Sequence, residues 1–108
     1  MNAMSDCEHN EPACPIHFAM MVIGKRWTAL IIRDLVTGTK RFCQLEQSLQ
    51  GISPKMLSQR LHELEGEGLV KRKVYPEVPV RVEYSLTEKG MGLRDVIDSM
   101  AAWGEKWA

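Results

Sequence analysis

The spacing of apolar residues changes abruptly in the middle of this chain, and that change is the strongest constraint on its fold. Leucines recur at helical spacing over residues 54–65, directly after Ser53-Pro54, a pair that favours the start of a helix. After two glycines, apolar and polar residues alternate in two runs, 70–75 and 81–86, around a proline-containing segment. This order predicts a helix followed directly by a β-hairpin.

Helical periodicity predicts four other helices in the chain. Their approximate ranges are 15–23, 25–36, 43–49 and 88–107. A short extended segment, 40–42, is expected between the second and third of them. Thr87 is expected to cap the last, because threonine is a favoured N-cap residue.

Two short helices joined by a glycine-containing turn and followed by a basic hairpin form the winged helix-turn-helix pattern. The predicted fold is therefore mainly α with a small β-hairpin. The helix-turn-helix is expected at about 42–66, the hairpin, or wing, at about 69–86, and a C-terminal dimerisation helix at 88–107. Together they make one domain over 14–108, preceded by a flexible polar tail at 1–13.

The predicted helix before the hairpin has a polar face suited to the major groove of DNA. At about 100° per residue, Lys55, Gln59 and His62 point away from the leucine face, while Met56 and Ser58 lie on its flanks. An ordinary amphipathic surface helix would show a similar face. It would not require the serine-proline cap, the glycine turn and the basic hairpin that accompany this one.

Four basic residues flank the tip of the predicted wing, where contact with the DNA backbone or the minor groove is expected: Lys71, Arg72, Lys73 and Arg81. Phosphate contacts would supply most of the affinity, and side chains of the helix would read base edges. A plain edge ribbon with solvating lysines is the alternative interpretation of the hairpin. The expected DNA-binding residues are Arg41, Ser53, Lys55, Met56, Ser58, Gln59, Arg60, Lys71, Lys73 and Arg81.

The formal net charge of the chain is zero, but the charges are unevenly distributed. Residues 25–82 contain eleven Lys and Arg residues against six Asp and Glu residues. Residues 1–24, in contrast, carry three acidic residues and no Lys or Arg. The central part of the chain is therefore electropositive, as expected where DNA phosphates are bound.

Several other classes of protein do not fit this sequence. No apolar run is long enough to span a membrane, and the polar, acidic N-terminal segment is unlike a secretory signal, so a cytoplasmic location is expected. No nucleophile–base set, phosphate-binding glycine loop or paired carboxylates stand out, so neither an enzyme nor a cofactor is expected. Four candidate zinc ligands are spaced too irregularly for a compact metal site. They are Cys7, His9, Cys14 and His17.

Short motifs follow one another in a specific order from Cys14 to Trp103. They are Cys14-Pro15-Ile16, Gly24-Lys25-Arg26-Trp27, Arg41-Phe42, Gly51-Ile52-Ser53, Met56-Leu57-Ser58-Gln59-Arg60-Leu61, Gly68-Leu69-Val70-Lys71-Arg72, Val82-Glu83-Tyr84-Ser85-Leu86-Thr87 and Gly90. As an ordered set they closely resemble the HxlR-type winged-helix regulators, relatives of the MarR group. The resemblance implies a homodimeric DNA-binding transcriptional regulator whose first and last helices form the dimer interface.

Dimerisation has an independent argument in the last predicted helix, which carries more apolar side chains than so small a core needs. Use of these side chains in the core of the monomer is the alternative. The expected interface residues are Ile16, Met20, Ile23, Leu93, Val96, Ile97, Met100, Trp103 and Trp107. A two-fold dimer would recognise an inverted-repeat operator whose half-site centres lie about 34–36 Å apart.

Cys14 is expected at the N-cap of the first helix, where the helix dipole and unpaired amide groups favour the thiolate that oxidants and electrophiles attack. The resemblance adds that several relatives sense such compounds through a cysteine at this position. The alternatives are an inert cap, a regulator that answers to a small-molecule ligand or lacks a cysteine switch, and a winged helix that binds only proteins. Cys43 is expected to be buried beside Phe42, and Cys7 is a candidate resolving thiol.

Overall fold

The computed structural model describes residues 14–108, which form six helices and three short strands. In chain order they are α1 (Pro15–Ile23), α2 (Thr28–Val36), β1 (Lys40–Arg41), α3 (Phe42–Ser48), α4 (Pro54–Gly66), β2 (Val70–Tyr75), β3 (Arg81–Leu86), α5 (Glu88–Met91) and α6 (Arg94–Trp107). The predicted tail, with Cys7 and His9, lies outside the described residues.

Two hydroxyl side chains begin helices as the sequence predicts. Oγ of Ser53 accepts a hydrogen bond from the backbone N–H of Met56 at 3.0 Å, which satisfies a donor in the first turn of α4. Oγ1 of Thr87 accepts from the N–H of Gly90 at 3.1 Å and starts α5 in the same way. Both predicted caps are confirmed.

The start of α2 differs from the prediction, which placed it at Lys25. The helix begins at Thr28, because Trp27 adopts a left-handed backbone conformation, with φ of 81°, that cannot be continued into a right-handed helix. Residues 24–27 instead form the turn between α1 and α2. This turn places the Trp27 ring against the core, where it is partly buried.

The predicted C-terminal helix is divided into two pieces, since α5 ends at Met91 and α6 begins at Arg94. The first piece is held at the base of the wing, where the N–H of Thr87 donates to the carbonyl of Leu69 at 3.0 Å. A Cβ at Gly90 would collide with that same carbonyl, so only glycine allows this close approach. The second piece, α6, packs on α2 instead.

The sheet has three antiparallel strands in the order β1–β3–β2, one more than the predicted hairpin. The additional strand comes from the extended segment expected at 40–42, where Lys40 pairs with Tyr84 and Arg41 pairs with Glu83. A strand of two residues has no alternation that a sequence pattern could reveal. The additional strand, β1, therefore connects the start of α3 to the wing.

One cluster of buried apolar side chains holds these elements together. It contains Leu57, Leu61 and Leu64, the face of α4 that is predicted to pack inward, together with Leu45 and Leu49 from α3 and its end. Burying such a side chain contributes about 1.5–3 kcal/mol, so this face fixes α4 on the core.

Within the described residues, no helix combines the length and the apolar character needed to cross a membrane.

Candidate nucleic-acid interface

The turn that joins α3 to α4 is built on a glycine and on the Trp27 ring. Gly51 has a φ of 93°, a left-handed conformation that residues with a Cβ rarely adopt. The Trp27 ring lies 3.8 Å from the position that a Cβ of Gly51 would occupy, so the turn packs on the junction that follows α1. The N-terminal end of α4 is therefore positioned by a contact with a distant part of the chain.

One side of α4 faces solvent and carries polar and basic side chains. Lys55, Ser58, Gln59 and His62 are exposed and recur three or four residues apart, as residues on one helical face do. Met56 is half-buried on the flank of this face. The 13 residues of α4 form a rod of about 20 Å, which fits one major groove. The predicted polar face is thus present and accessible.

Arg60, a predicted DNA contact, does not belong to this face. Its side chain is only 13 % exposed. Nε donates to the backbone carbonyl of Arg26 at 2.9 Å, and Nη1 donates to Oε1 of Glu63 at 3.1 Å. Arg60 therefore joins α4 to the turn between α1 and α2 instead of offering its charge to a phosphate.

The Glu63 carboxylate is the centre of a small charged network on α4. Its Oε1 lies 3.5 Å from Nζ of Lys25 and also accepts from Arg60, and its Oε2 accepts from Nε2 of Gln59 at 3.4 Å. Partial burial raises the pKa of Glu63, but the Gln59 hydrogen bond and the two neighbouring cations outweigh this effect. The pKa of Glu63 therefore lies below its ordinary value of 4.5, and the group is ionised at neutral pH.

The two faces of the wing carry different basic side chains. In β2, Val70 and Arg72 share one face, and Arg72 lies opposite the buried Tyr84 of β3. Lys71 and Lys73 are exposed on the other face. Arg72, a member of the basic cluster predicted in the wing, is therefore directed to the α4 side of the sheet, whereas Lys71 and Lys73 are not.

A polar cleft of about 240 Å³ separates α4 from the wing. It is lined by Ser58, His62 and Glu65 of α4 and by Arg72 and Tyr84 of the sheet. Because Ser58 and His62 also belong to the exposed face of α4, the cleft continues that face. Helical periodicity predicts the position of His62, and strand alternation separates Arg72 from Lys71 and Lys73, but the cleft between Arg72 and α4 is visible only in the structure.

Arg81 is held by the wing itself. Its Nη1 donates to Glu83 at 2.8 Å, its Nη2 donates to Glu77 at 2.9 Å, and its guanidinium lies 3.8 Å from the centre of the Tyr75 ring. The hydrogen bond to Glu77 is the main cause that raises the pKa of Arg81 above its ordinary value. Two carboxylates of the chain thus balance the charge of Arg81, which also links β3 to Tyr75 of β2 near the tip, and its phosphate contact stays a prediction.

Two further predicted residues lie at helix starts. Arg41 precedes α3, and its backbone N–H donates to Oε1 of Gln44 at 2.7 Å while its side chain stays exposed. Ser53 precedes α4 and uses its hydroxyl in the cap described above. A helix N-terminus carries a partial positive charge, which favours nearby phosphate groups.

Cys14 occupies the N-cap of α1, as predicted, and its side chain is exposed. The thiol makes no capping hydrogen bond. Cys43 is also exposed, which contradicts the expected burial beside Phe42, because only the phenylalanine packs on the core at the start of α3. Among residues 14–108, no group of three or more His, Cys, Asp and Glu side chains is arranged to hold a metal ion.

The outer sides of α1 and α6 expose large apolar side chains. Each of the following predicted interface residues exposes 39 % or more of its area: Ile16, Met20, Val96, Met100, Trp103 and Trp107. Ile97 is only 8 % exposed and belongs to the core, so its assignment to the interface is wrong. Ile23 and Leu93 are partly buried against the same core. Because α6 packs on α2, one side of α6 is buried within the monomer, and only the other side is accessible to a partner.

A helix-turn-helix with an accessible polar face, followed by a β-hairpin, defines the winged helix-turn-helix class of DNA-binding proteins. A family model described as HxlR-like helix-turn-helix matches residues 22–108, and the chain belongs to this family. The protein is accordingly a transcriptional regulator with a helix-turn-helix DNA-binding fold.

Three similar proteins support this assignment. The HTH-type transcriptional regulator YodB of Bacillus subtilis (strain 168) is 46 % identical over 95 residues, 87 % of this chain and 85 % of that protein. The crystal structure of diamide-treated YodB covers 91 % of this chain and 98 % of its own, with a TM-score of 0.73. The redox regulator HypR in its oxidized form is 40 % identical, covers 88 % of this chain and 98 % of its own, and has a TM-score of 0.83. A MarR-family regulator from Porphyromonas gingivalis W83 is 40 % identical and has a TM-score of 0.87. The match covers 92 % of this chain and 97 % of that regulator's chain. The predicted fold class and family resemblance are confirmed.

Proposed function

We propose that this protein binds specific sequences of double-stranded DNA as a homodimer and changes that binding in response to oxidants or electrophiles. The observation that carries the DNA-binding part is the continuous surface formed by the exposed face of α4 and the cleft beside the wing. This surface combines donors and acceptors for base edges with a cation for the phosphate backbone.

The two kinds of contact come from different elements. The groove-facing side chains of α4 read base edges: Lys55, Met56, Ser58 and Gln59. The phosphate contacts come from the wing and from the start of α3: Arg41, Lys71, Arg72 and Lys73. Arg60 and Arg81 are left out of both groups, because each is engaged by a carboxylate of its own chain.

The homodimer is supported by the apolar surface of α1 and α6. Trp103 and Trp107 are 69 % and 65 % exposed, and Ile16 on α1 is 75 % exposed. Large apolar patches of this kind are typical of protein interfaces. In a two-fold dimer the two copies of α4 would read an inverted repeat with half-site centres about 34–36 Å apart.

We propose that Cys14 receives the chemical signal. Its exposed thiolate would add to a quinone by forming an S–C bond, while the ring takes up a proton and becomes a hydroquinone. An adduct on α1 would alter the surface through which the two subunits meet. The diamide-treated form of YodB and the description of HypR as a redox regulator favour this interpretation over a regulator without a cysteine switch.

Selection from a pool of random DNA duplexes tests the DNA-binding function. We expect enrichment of an inverted repeat, with Gln59→Ala weakening binding to the selected sequence by roughly 5- to 150-fold and leaving binding to unrelated DNA nearly unchanged. Arg33→Ala, a change on α2 outside both the DNA-binding surface and the proposed dimer surface, is the control. No enrichment above the unselected pool would contradict the proposal and favour a winged helix that binds only proteins.

A further inference from the structure

The side-chain amide of Gln59 is not free to turn around. Nε2 donates to Oε2 of Glu63, one helical turn further along α4, at 3.4 Å. A carboxylate can only accept hydrogen bonds, so the amide nitrogen and not the amide oxygen must face Glu63. Gln59 therefore presents one remaining N–H donor and its carbonyl oxygen to the solvent side of α4.

Glu63 is itself held in place by two cations, Arg60 on α4 and Lys25 in the turn between α1 and α2. Nη1 of Arg60 donates to its Oε1 at 3.1 Å, and Nζ of Lys25 lies 3.5 Å from the same oxygen. Arg60 is in turn anchored to the carbonyl of Arg26. The direction of the Gln59 amide is thus determined through Glu63 by the turn between α1 and α2.

This donor and acceptor pair matches one base in the major groove. Adenine offers an acceptor at N7 and a donor at its N6 amino group, so a single N–H and a carbonyl oxygen can bind both. Guanine offers two acceptors, N7 and O6, and would need two donors from Gln59. With one N–H engaged by Glu63, guanine can receive only one hydrogen bond.

We infer that Glu63 is a positioning residue that fixes the Gln59 amide and thereby makes α4 select adenine over guanine at one position of each DNA half-site. The inference rests on the proposed DNA-binding function and adds the base that Gln59 reads. It also assigns a role in specificity to a residue that would not touch the DNA.

Glu63→Gln tests the inference, because a glutamine at this position can donate to the Gln59 oxygen and let the amide turn. Both N–H groups of Gln59 would then be available to guanine. We expect the adenine-over-guanine preference at one half-site position to fall about tenfold, as measured by titrating duplexes that carry each base there. Glu67→Gln, which removes the same charge at the C-cap of α4, is the matched control and should keep the wild-type preference.

Glu63→Asp provides a second variant with the charge beside Arg60 and Lys25 retained. Its shorter side chain withdraws the carboxylate from Gln59, so the preference should fall here as well, and circular dichroism establishes that each variant is folded. If the folded variants keep the wild-type base preference at every position, the inference is wrong while the DNA-binding function stands. If the wild-type protein selects no sequence, the proposed function fails and the inference fails with it.

Discussion

Arg60 on α4 donates a hydrogen bond to the backbone carbonyl of Arg26 at 2.9 Å, although 34 positions separate the two residues in the chain. The contact joins α4 to the turn that directly follows α1, the helix that carries Cys14 at its N-cap. The packing of Trp27 against Gly51 makes a second connection between the same two regions. A displacement of α1 at the proposed interface would therefore be transmitted to α4, the helix that we propose reads DNA.

Loss of the Arg60 side chain should affect the stability of the fold and leave the electrostatic part of DNA binding unchanged. Arg60→Ala leaves the Arg26 carbonyl without this donor and removes one of the partners of Glu63, so we expect the free energy of unfolding in urea to fall by about 1–3 kcal/mol. Arg33→Ala, which removes a half-exposed arginine paired with its neighbour Asp34, is the control and should change it by less than about 0.5 kcal/mol. A stable Arg60→Ala protein whose DNA affinity depends less on salt would show that Arg60 binds phosphate after all.

The two arginines of the wing should behave differently towards DNA. Arg72→Ala removes a cation beside α4, and the slope of log affinity against log salt should become shallower by about 0.9 for one lost phosphate contact. Arg81→Ala removes a guanidinium that two carboxylates already balance, so the slope should stay close to that of the wild type. Equal slopes for the two variants would contradict this distinction.

A charge in the apolar surface of α6 should separate the subunits. Trp103→Asp places a carboxylate where a partner would bury it without a counter-ion, which costs more than dimerisation can offset. Sedimentation should then show a monomer, with the affinity for an inverted repeat lost. Val78→Asp, at a fully exposed position beside the wing tip, is the control and should leave the protein dimeric. A dimeric Trp103→Asp protein would remove Trp103 from the interface.

The stability of the fold should depend on pH through Glu63. Its pKa in the folded protein is below 4.5, so the stability it contributes is present above that ordinary value and is lost as the pH falls through the folded value. Glu63→Gln lacks this contribution at neutral pH and has nothing to lose in acid. The difference in unfolding free energy between wild type and variant should therefore shrink as the pH is lowered below about 4.5. Urea unfolding at a series of pH values measures it, and parallel curves would contradict the assignment.

Local patterns predicted the parts of the fold that depend on neighbouring residues. The caps at Ser53 and Thr87 and the leucine face of α4 follow from residues within a turn or two of one another, and the structure confirms all of them. The break before α6 was not predicted, and neither was the close approach of Gly90 to Leu69 across the base of the wing. Helical spacing alone does not contain that contact.

The candidate site was predicted less completely than the fold, because the sequence does not show which basic side chains are paired with carboxylates of the same chain. Arg60 and Arg81 lie in basic stretches of sequence, and both are engaged by carboxylates once α4 and the wing are formed. Strand alternation predicts that Arg72 lies on the opposite face of β2 from Lys71 and Lys73, but only the structure shows that this face borders α4. A strand reverses the direction of its side chains at every residue, so alternation separates the two faces of a hairpin without showing which face meets a neighbouring helix.

Modification of Cys14 should weaken binding to the selected inverted repeat. Treatment with a quinone is expected to attach one ring to the exposed thiol of Cys14 and to alter the α1 surface, so the wild-type protein should release its DNA, as measured by fluorescence anisotropy. Cys14→Ser should bind the same DNA and should not respond, because a hydroxyl at the helix N-cap is a far weaker nucleophile than a thiolate. Cys43→Ser is the matched control: Cys43 is also exposed, but it lies on α3 and away from the proposed dimer surface, so this variant should respond as the wild type does. A Cys14→Ser protein that still releases DNA on treatment would exclude Cys14 as the sensor and leave the DNA-binding function intact.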